Sequence, residues 1–399
     1  MLLAILDILG RLLTEIDRFE LIETVDTFFQ QVAVRVFASL ITSFAIVLAA
    51  GPRTIRWLQR KKIGDTAAFD LDQLKDLMRS KANTPTMGGA LVAASIITAT
   101  LIFADLANPY VKMAIVVVIW FALLGAIDDW LKLTAATRAA GSRQGLHSWE
   151  KLVFQLGIGV IIGAFTYQAG ITPGQPGPHM PHVLNLPLQR AYIPTQEGAP
   201  NPQLLYLSPA VFVLITTLVM AGMSNAVNIT DGMDGLAPGI SAIVAFGLVG
   251  ITLLVGAENG DWARSQLVPH VPNTAELAVV AAALAGATAG FLWFNCSPAS
   301  VFMGDTGSLC IGGLVGYIAI ATRMEYVVLI MCGVFLFEIA SVVIQVAYFR
   351  STGGKRVFRC APYHHHLHMG GWPEPRIVSR FWIITILLTT IALASLKLR

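Results

Sequence analysis

Long apolar runs separated by short polar gaps set the pattern of this chain. Runs long enough to cross roughly 30 Å of hydrocarbon as a helix fall at approximately 32–50, 87–104, 111–127, 152–169, 209–223, 238–255, 277–294, 307–321, 326–349 and 377–396. The pattern predicts an all-α, polytopic membrane protein with about ten transmembrane helices. Ahead of the first run, Asp7, Arg11, Glu15 and Arg18 recur on one helical face while leucines and isoleucines fill the other. Residues 1–26 are therefore expected to form an amphipathic, interfacial helix, and 27–399 a single transmembrane domain. No basic segment followed by a small-residue cleavage site precedes that helix, so no removable signal peptide is read.

Composition agrees with the pattern. The chain is 55% hydrophobic and 13% charged, with a mean hydropathy of +0.67, too apolar for a soluble protein of 399 residues. Basic residues orient it. Arg53, Arg56, Arg60, Lys61, Lys62, Lys75, Arg79 and Lys81 follow the first run, and Lys132, Arg138, Arg143 and Lys151 follow the third. Arg350, Lys355, Arg356, Arg359, Arg376 and Arg380 flank the gap after the ninth. Cytoplasmic loops carry such an excess, so these gaps are expected to face the cytosol. Alternation brings 225–236 and 295–305 to the same side. The segments 170–207 and 256–274, on the other side, read as irregular connectors. Cys296, Cys310, Cys332 and Cys360 lie in runs or cytosolic gaps, which argues against structural disulfides.

The polar gaps hold the candidate chemistry. Asp128 and Asp129 open DDWLK, where a helical continuation would bring Lys132 beside Asp128. Asn225, Asn228, Asp231 and Asp234 fall in NAVNITDGMDGL, and Asn295, Phe302 and Asp305 in FNCSPASVFMGDTGS. Carboxylates and amides gathered at one membrane face can hold Mg²⁺, which prefers oxygen ligands and bridges to substrate phosphates. Plainer readings stand beside this one: a solvated helix end for the acidic pair, a helix cap for Asp305, ordinary turn residues for TDGMDG. His364, His365 and His366 cannot all face one way, so zinc held by them alone is not expected. Their basic surroundings suit an anionic ligand, and a polar surface loop is the alternative. Glu338 lies inside a run, where an acid is either functional or bonded to a neighbouring helix.

TPTMGG at 84–89, DDWLK, NAVNITDGMDGL, FNCSPASVFMGDTGSL, and APYHHH followed by GWPEPR occur together in this order. In this the chain resembles the phospho-N-acetylmuramoyl-pentapeptide transferases, a branch of the polyprenyl-phosphate N-acetylhexosamine-1-phosphate transferases. The triple histidine after Ala361-Pro362 points to the muramoyl branch. The resemblance implies transfer of phospho-MurNAc-pentapeptide from its UDP carrier to undecaprenyl phosphate, giving UMP and lipid I, the first membrane step of peptidoglycan synthesis. Mg²⁺ is the implied cofactor, with Asp305 as its ligand. Asp128, Asp129, Asp305 and His364 are the implied catalytic residues. Lys81, Lys132, Asn225, Asn228, Asp231, Asp234, Asn295, Phe302, His365 and His366 are the implied substrate-binding residues. Asp128 is the favoured base, and direct displacement is preferred over a covalent aspartyl route. Implied partners are UDP-MurNAc-pentapeptide, undecaprenyl phosphate, membrane lipids and a second copy of the chain, with no nucleic acid. The bacterial inner membrane, with the active site facing the cytoplasm, is the implied location. A secondary transporter would gather its polar groups at the midplane, and a lipid-binding scaffold would not need Asp128, Asp129 and Asp305 together.

Overall fold

The computed structural model describes residue 1 and residues 27–60, 84–134, 145–171, 178–193, 199–257 and 260–398. The expected interfacial helix over 1–26 and Lys81 lie outside these residues.

Every expected run is helical. In chain order the helices are α1 (Val32–Arg60), α2 (Gly89–Phe103), α3 (Pro109–Leu133), α4 (Ser148–Ala169), α5 (Pro209–Thr230), α6 (Leu236–Gly256), α7 (Asp261–Ser265), α8 (Leu277–Asn295), α9 (Gly304–Ala321), α10 (Glu325–Met331), α11 (Gly333–Ser351), α12 (Tyr363–Met369) and α13 (Glu374–Ser395). Among the described residues, nine helices are long and apolar enough to cross a membrane. The chain is a multi-pass membrane protein. Helix α2, at 15 residues, rises only about 22 Å and falls short of the hydrocarbon thickness.

Three expectations are corrected. The ninth run is two helices, α10 and α11, parted at Cys332 before Gly333, whose poor helix propensity favours a break there. Helix α5 continues to Thr230, so Asn225 and Asn228 are helical and the polar gap narrows to 231–235. The connector at 170–207 contains a small antiparallel hairpin, β1 (Val183–Leu184) and β2 (Leu205–Tyr206), with Val183 opposite Tyr206 and Leu184 opposite Leu205. Two-residue strands inside a proline- and glycine-rich stretch carry no readable alternation.

Helices α8 and α9 form the interior. Helix α8 packs on α1, α6 and α2, while α9 packs on α3, α5 and α2. Their alanine- and glycine-rich sequences permit this, because small side chains let helix backbones approach closely in a membrane. Exposed Trp57, Trp130, Trp149 and Trp293 mark ends of α1, α3, α4 and α8 on one face of the bundle. Such an aromatic belt is expected at a membrane–water boundary. The other face is closed by a forked pair in which Arg35 donates to both Glu276 carboxylate oxygens at 2.7 and 2.6 Å. The polar gaps 128–134, 231–235, 295–305 and 351–374 all lie at the tryptophan-lined face.

Candidate active site

Helix α9 begins against the last turns of α3. Its first N–H groups have no partner within the helix and must find one elsewhere. Asp129 supplies it: Oδ1 accepts from Asp305 N–H at 3.0 Å, and Oδ2 accepts from the Thr306 N–H and hydroxyl at 3.0 and 2.7 Å. A carboxylate there is favoured by the helix dipole. The cap of α9 is therefore Asp129, from a different helix, and not Asp305. Gly125, one turn before Asp129 on α3, makes the approach possible, since a methyl there would collide with the Asp305 carbonyl.

Freed from capping, Asp305 turns its carboxylate into the gap. Its Oδ1 accepts from Asn228 Nδ2 at 2.9 Å, and its Oδ2 meets Lys132 Nζ at 3.1 Å and Lys151 Nζ at 2.7 Å. Asp128 completes the square. Its Oδ1 accepts from Leu146 N–H at 2.7 Å, and its Oδ2 meets the same two ammonium groups, each at 2.7 Å. The helical continuation expected for DDWLK thus does bring Lys132 to Asp128. The Asp128 side chain is fully buried, whereas that of Lys132 is 46% exposed, so the cluster opens towards the aqueous side through Lys132.

Asp128, Asp129 and Asp305 each place a carboxylate oxygen within 4.8 Å of the others, close enough to hold a metal ion. The donor set is hard oxygen, suited to Mg²⁺ or a similar divalent cation. Both Asp129 oxygens already accept from the α9 start. Asp128 Oδ2 and Asp305 Oδ2, in contrast, are bridged only by lysine ammonium groups, so a cation is already accepted between them. Asp128 and Asp305 would hold a divalent ion there in place of an ammonium, with half-exposed Lys132 the readier to give way.

The remaining candidates sort by distance from this cluster. Asn228 belongs to it, donating also to Ser308 Oγ at 2.9 Å. Asn225, one turn earlier, donates to Gln155 Oε1 at 2.6 Å and ties α5 to α4. Asp234 and Asn295 join loops: Asp234 Oδ2 accepts from Ala299 N–H at 3.1 Å, and Asn295 Oδ1 accepts from Gly235 N–H at 2.9 Å. Phe302 is held through its backbone, donating to Pro85 O and accepting from Gly88 N–H. The histidines form α12 rather than a loop. His364 is buried against Glu338, His365 packs on His364, and His366 Nδ1 accepts from Arg359 N–H at 3.0 Å while its ring stacks on Tyr363.

Sequence reasoning missed Lys151, read only as a loop cation, although it bridges both carboxylates from the first turn of α4. Gln155 and Glu374 were missed too; Glu374 Oε1 accepts from Asp234 N–H. An amide inside the apolar α4 run was the one available signal for Gln155.

Burial, and then the charges of Asp305 and Asp129, push the Asp231 carboxyl well above the usual range. A carboxyl that holds its proton more tightly when folded loses stability as pH rises from its unfolded value through the raised one. Asp231→Asn should therefore melt roughly a few degrees above the wild type at pH 8 without divalent cations. The gain should shrink as the pH is lowered and the wild-type carboxyl takes up its proton. An unchanged or lowered melting temperature at pH 8 would refute the assignment.

The sequence profile of glycosyl transferase family 4 matches residues 111–323, more than half of the 399. The matched stretch holds Asp128, Asp129, Lys132, Lys151, Asn228, Asp231 and Asp305, and ends before the histidines of α12.

Proposed function

The chain belongs to glycosyl transferase family 4, transferases that pass a phospho-sugar to a polyprenyl phosphate with a divalent metal, and from that premise we propose the substrates and the site. The donor is UDP-MurNAc-pentapeptide, the acceptor undecaprenyl phosphate, and the products UMP and lipid I, the first membrane-bound peptidoglycan precursor. The observation that carries the reading is the sharing of two ammonium groups by Asp128 and Asp305 at the start of α9.

The reaction brings two anions together. An oxygen of the acceptor phosphate forms a bond to the sugar-bearing phosphorus of the donor, and the bond from that phosphorus to the bridging oxygen breaks to release UMP. Repulsion is the main barrier to this approach, so positive charge fixed in advance is the main requirement. Mg²⁺ held by Asp128 and Asp305 would neutralise the diphosphate and the departing UMP. Lys151, its side chain 17% exposed and paired with both carboxylates, holds a further positive charge in place. Lys132, 46% exposed, is placed to meet the incoming phosphate. Asn228 orients Asp305, and Asp129 keeps the helix start in register. A phosphate monoester already titrates near neutrality and carries its own nucleophilic oxygen, so direct displacement needs little of a base. This moves Asp128 from the base expected of it to a holder of cations.

Discrimination among sugars requires groups outside the shared nucleotide and metal machinery. Helix α12 and the basic stretch from Arg350 to Arg376 provide candidates, since their cations complement lactyl and peptide carboxylates that UDP-GlcNAc lacks. In a competition assay, UDP-MurNAc-pentapeptide should have the larger kcat/KM by at least about 10²-fold. Equal or better use of UDP-GlcNAc would move the chain to a sibling branch. The proposed location is the bacterial inner membrane with the site facing the cytoplasm. Exposed Cys296, at the tryptophan-lined face, should then react with an impermeant maleimide in inverted vesicles and not in intact spheroplasts, in a Cys360→Ser background. Labelling in spheroplasts would reverse the topology.

A further inference from the structure

Glu338 sits in the first half of α11 with no exposed surface. A carboxylate in that position is costly unless it is bonded, and its bonds go to a single residue. Oε1 accepts from the His364 backbone N–H at 3.2 Å, and Oε2 lies 3.1 Å from His364 Nδ1. An ionised carboxylate only accepts, so Nδ1 carries a hydrogen and donates it. A ring that donates from Nδ1 and carries no second proton has its lone pair on Nε2. That atom is buried and has no hydrogen-bond partner. It faces the 231–235 turn, where a methyl on Gly232 would collide with it. The contact of Phe337 with Tyr363, ring centres 4.9 Å apart, holds α12 to α11 just beside the pair.

We propose that Glu338 is a positioning residue: it fixes His364 in the Nδ1–H tautomer and anchors the first turn of α12, holding Nε2 as a buried acceptor against the 231–235 turn of the transfer site. The inference rests on the reading of this face as the phospho-sugar transfer site, and it adds a residue that touches no substrate. Its bonds are doubled on purpose-built geometry, one to the ring and one to the backbone, so both orientation and tautomer depend on it. An amide cannot replace it. Glu338→Gln can still accept from one N–H, but its NH₂ presents hydrogens where the ring also donates, and the ring must turn or change tautomer.

Two measurements test this. In ¹⁵N-histidine-labelled wild-type protein, with the His364 signal assigned by its loss in His364→Asn, the ring should be protonated at Nδ1 and bare at Nε2. In Glu338→Gln that pattern should be lost. Transfer kinetics should show kcat lowered by at least about 10-fold, KM for the UDP-sugar little changed, and no additional loss when Glu338→Gln is placed on His364→Asn. A wild-type ring protonated at Nε2 would overturn the proposal, as would losses that multiply in the double variant. The ring measurement needs neither turnover nor the Glu338 variant. An absence of any phospho-sugar transfer by the wild type would therefore count against the functional reading alone, while the tautomer would still decide the role of Glu338.

Discussion

Asp305→Asn should lower phospho-sugar transfer by about 10²–10³-fold while leaving the melting temperature nearly unchanged. The expectation of intact folding comes from the division of labour at the start of α9. The N–H groups of Asp305 and Thr306 are satisfied by Asp129, so no capping bond depends on the Asp305 side chain. The amide keeps the shape and can still accept from Asn228, but it loses the charge that Lys132, Lys151 and a divalent cation require. Asp129→Asn should behave differently. It weakens the acceptor of three hydrogen bonds from another helix, and about 1–3 kcal/mol of stability should go with it. Paired turnover and thermal-melting measurements separate the two. Near-normal turnover in Asp305→Asn, or a fall in its stability as large as that of Asp129→Asn, would return Asp305 to the role of a cap.

Lys151→Gln should cost about 10²-fold in turnover, and Lys132→Gln about 10-fold. Both ammonium groups touch both carboxylates, so contact distance alone does not rank them. Burial does. Lys151 is 17% exposed and Lys132 46%, so water and bulk cations can substitute for the second far better than for the first. Removing either lysine also leaves Asp128 and Asp305 less neutralised, so half-maximal activity should need less Mg²⁺ in both variants. Steady-state rates across a Mg²⁺ titration would check this. Equal losses, or a raised Mg²⁺ requirement in Lys151→Gln, would show that the lysines do not compete with the metal.

Much of this was legible in the sequence because a membrane imposes few solutions. Each apolar run had to be a helix, and the basic loops fixed which gaps share a face. The polar motifs then put Asp128, Asp129, Asn228 and Asp305 at one membrane face, with Lys132 beside Asp128. What could not be read was who bonds to whom across the bundle. Asp305 follows a glycine at a helix start, the pattern of a cap, yet its cap arrives from a residue 176 positions away. Lys151 carries no local sign of its role, since one lysine in a basic loop looks like another until α4 is packed against α5 and α3. Asn225 and Asn228 are one turn apart and chemically alike, but only Asn228 reaches Asp305, because Asn225 is taken up by Gln155. The break at Cys332 was hidden by uninterrupted hydropathy. Glu338 stood out as an intramembrane acid, and its partner became visible only when His364 was found in a helix.

The proposed role of the carboxylate cluster at the start of α9 is direct, metal-dependent transfer between two phosphates. The most direct test is UMP release by the purified protein from UDP-MurNAc-pentapeptide, with undecaprenyl phosphate and Mg²⁺ each supplied or withheld. UMP and lipid-linked product should appear one for one when both are present, and neither should appear when the acceptor is withheld or the metal is chelated. Undiminished transfer in excess chelator, or UMP released stoichiometrically with enzyme before any acceptor is added, would contradict it.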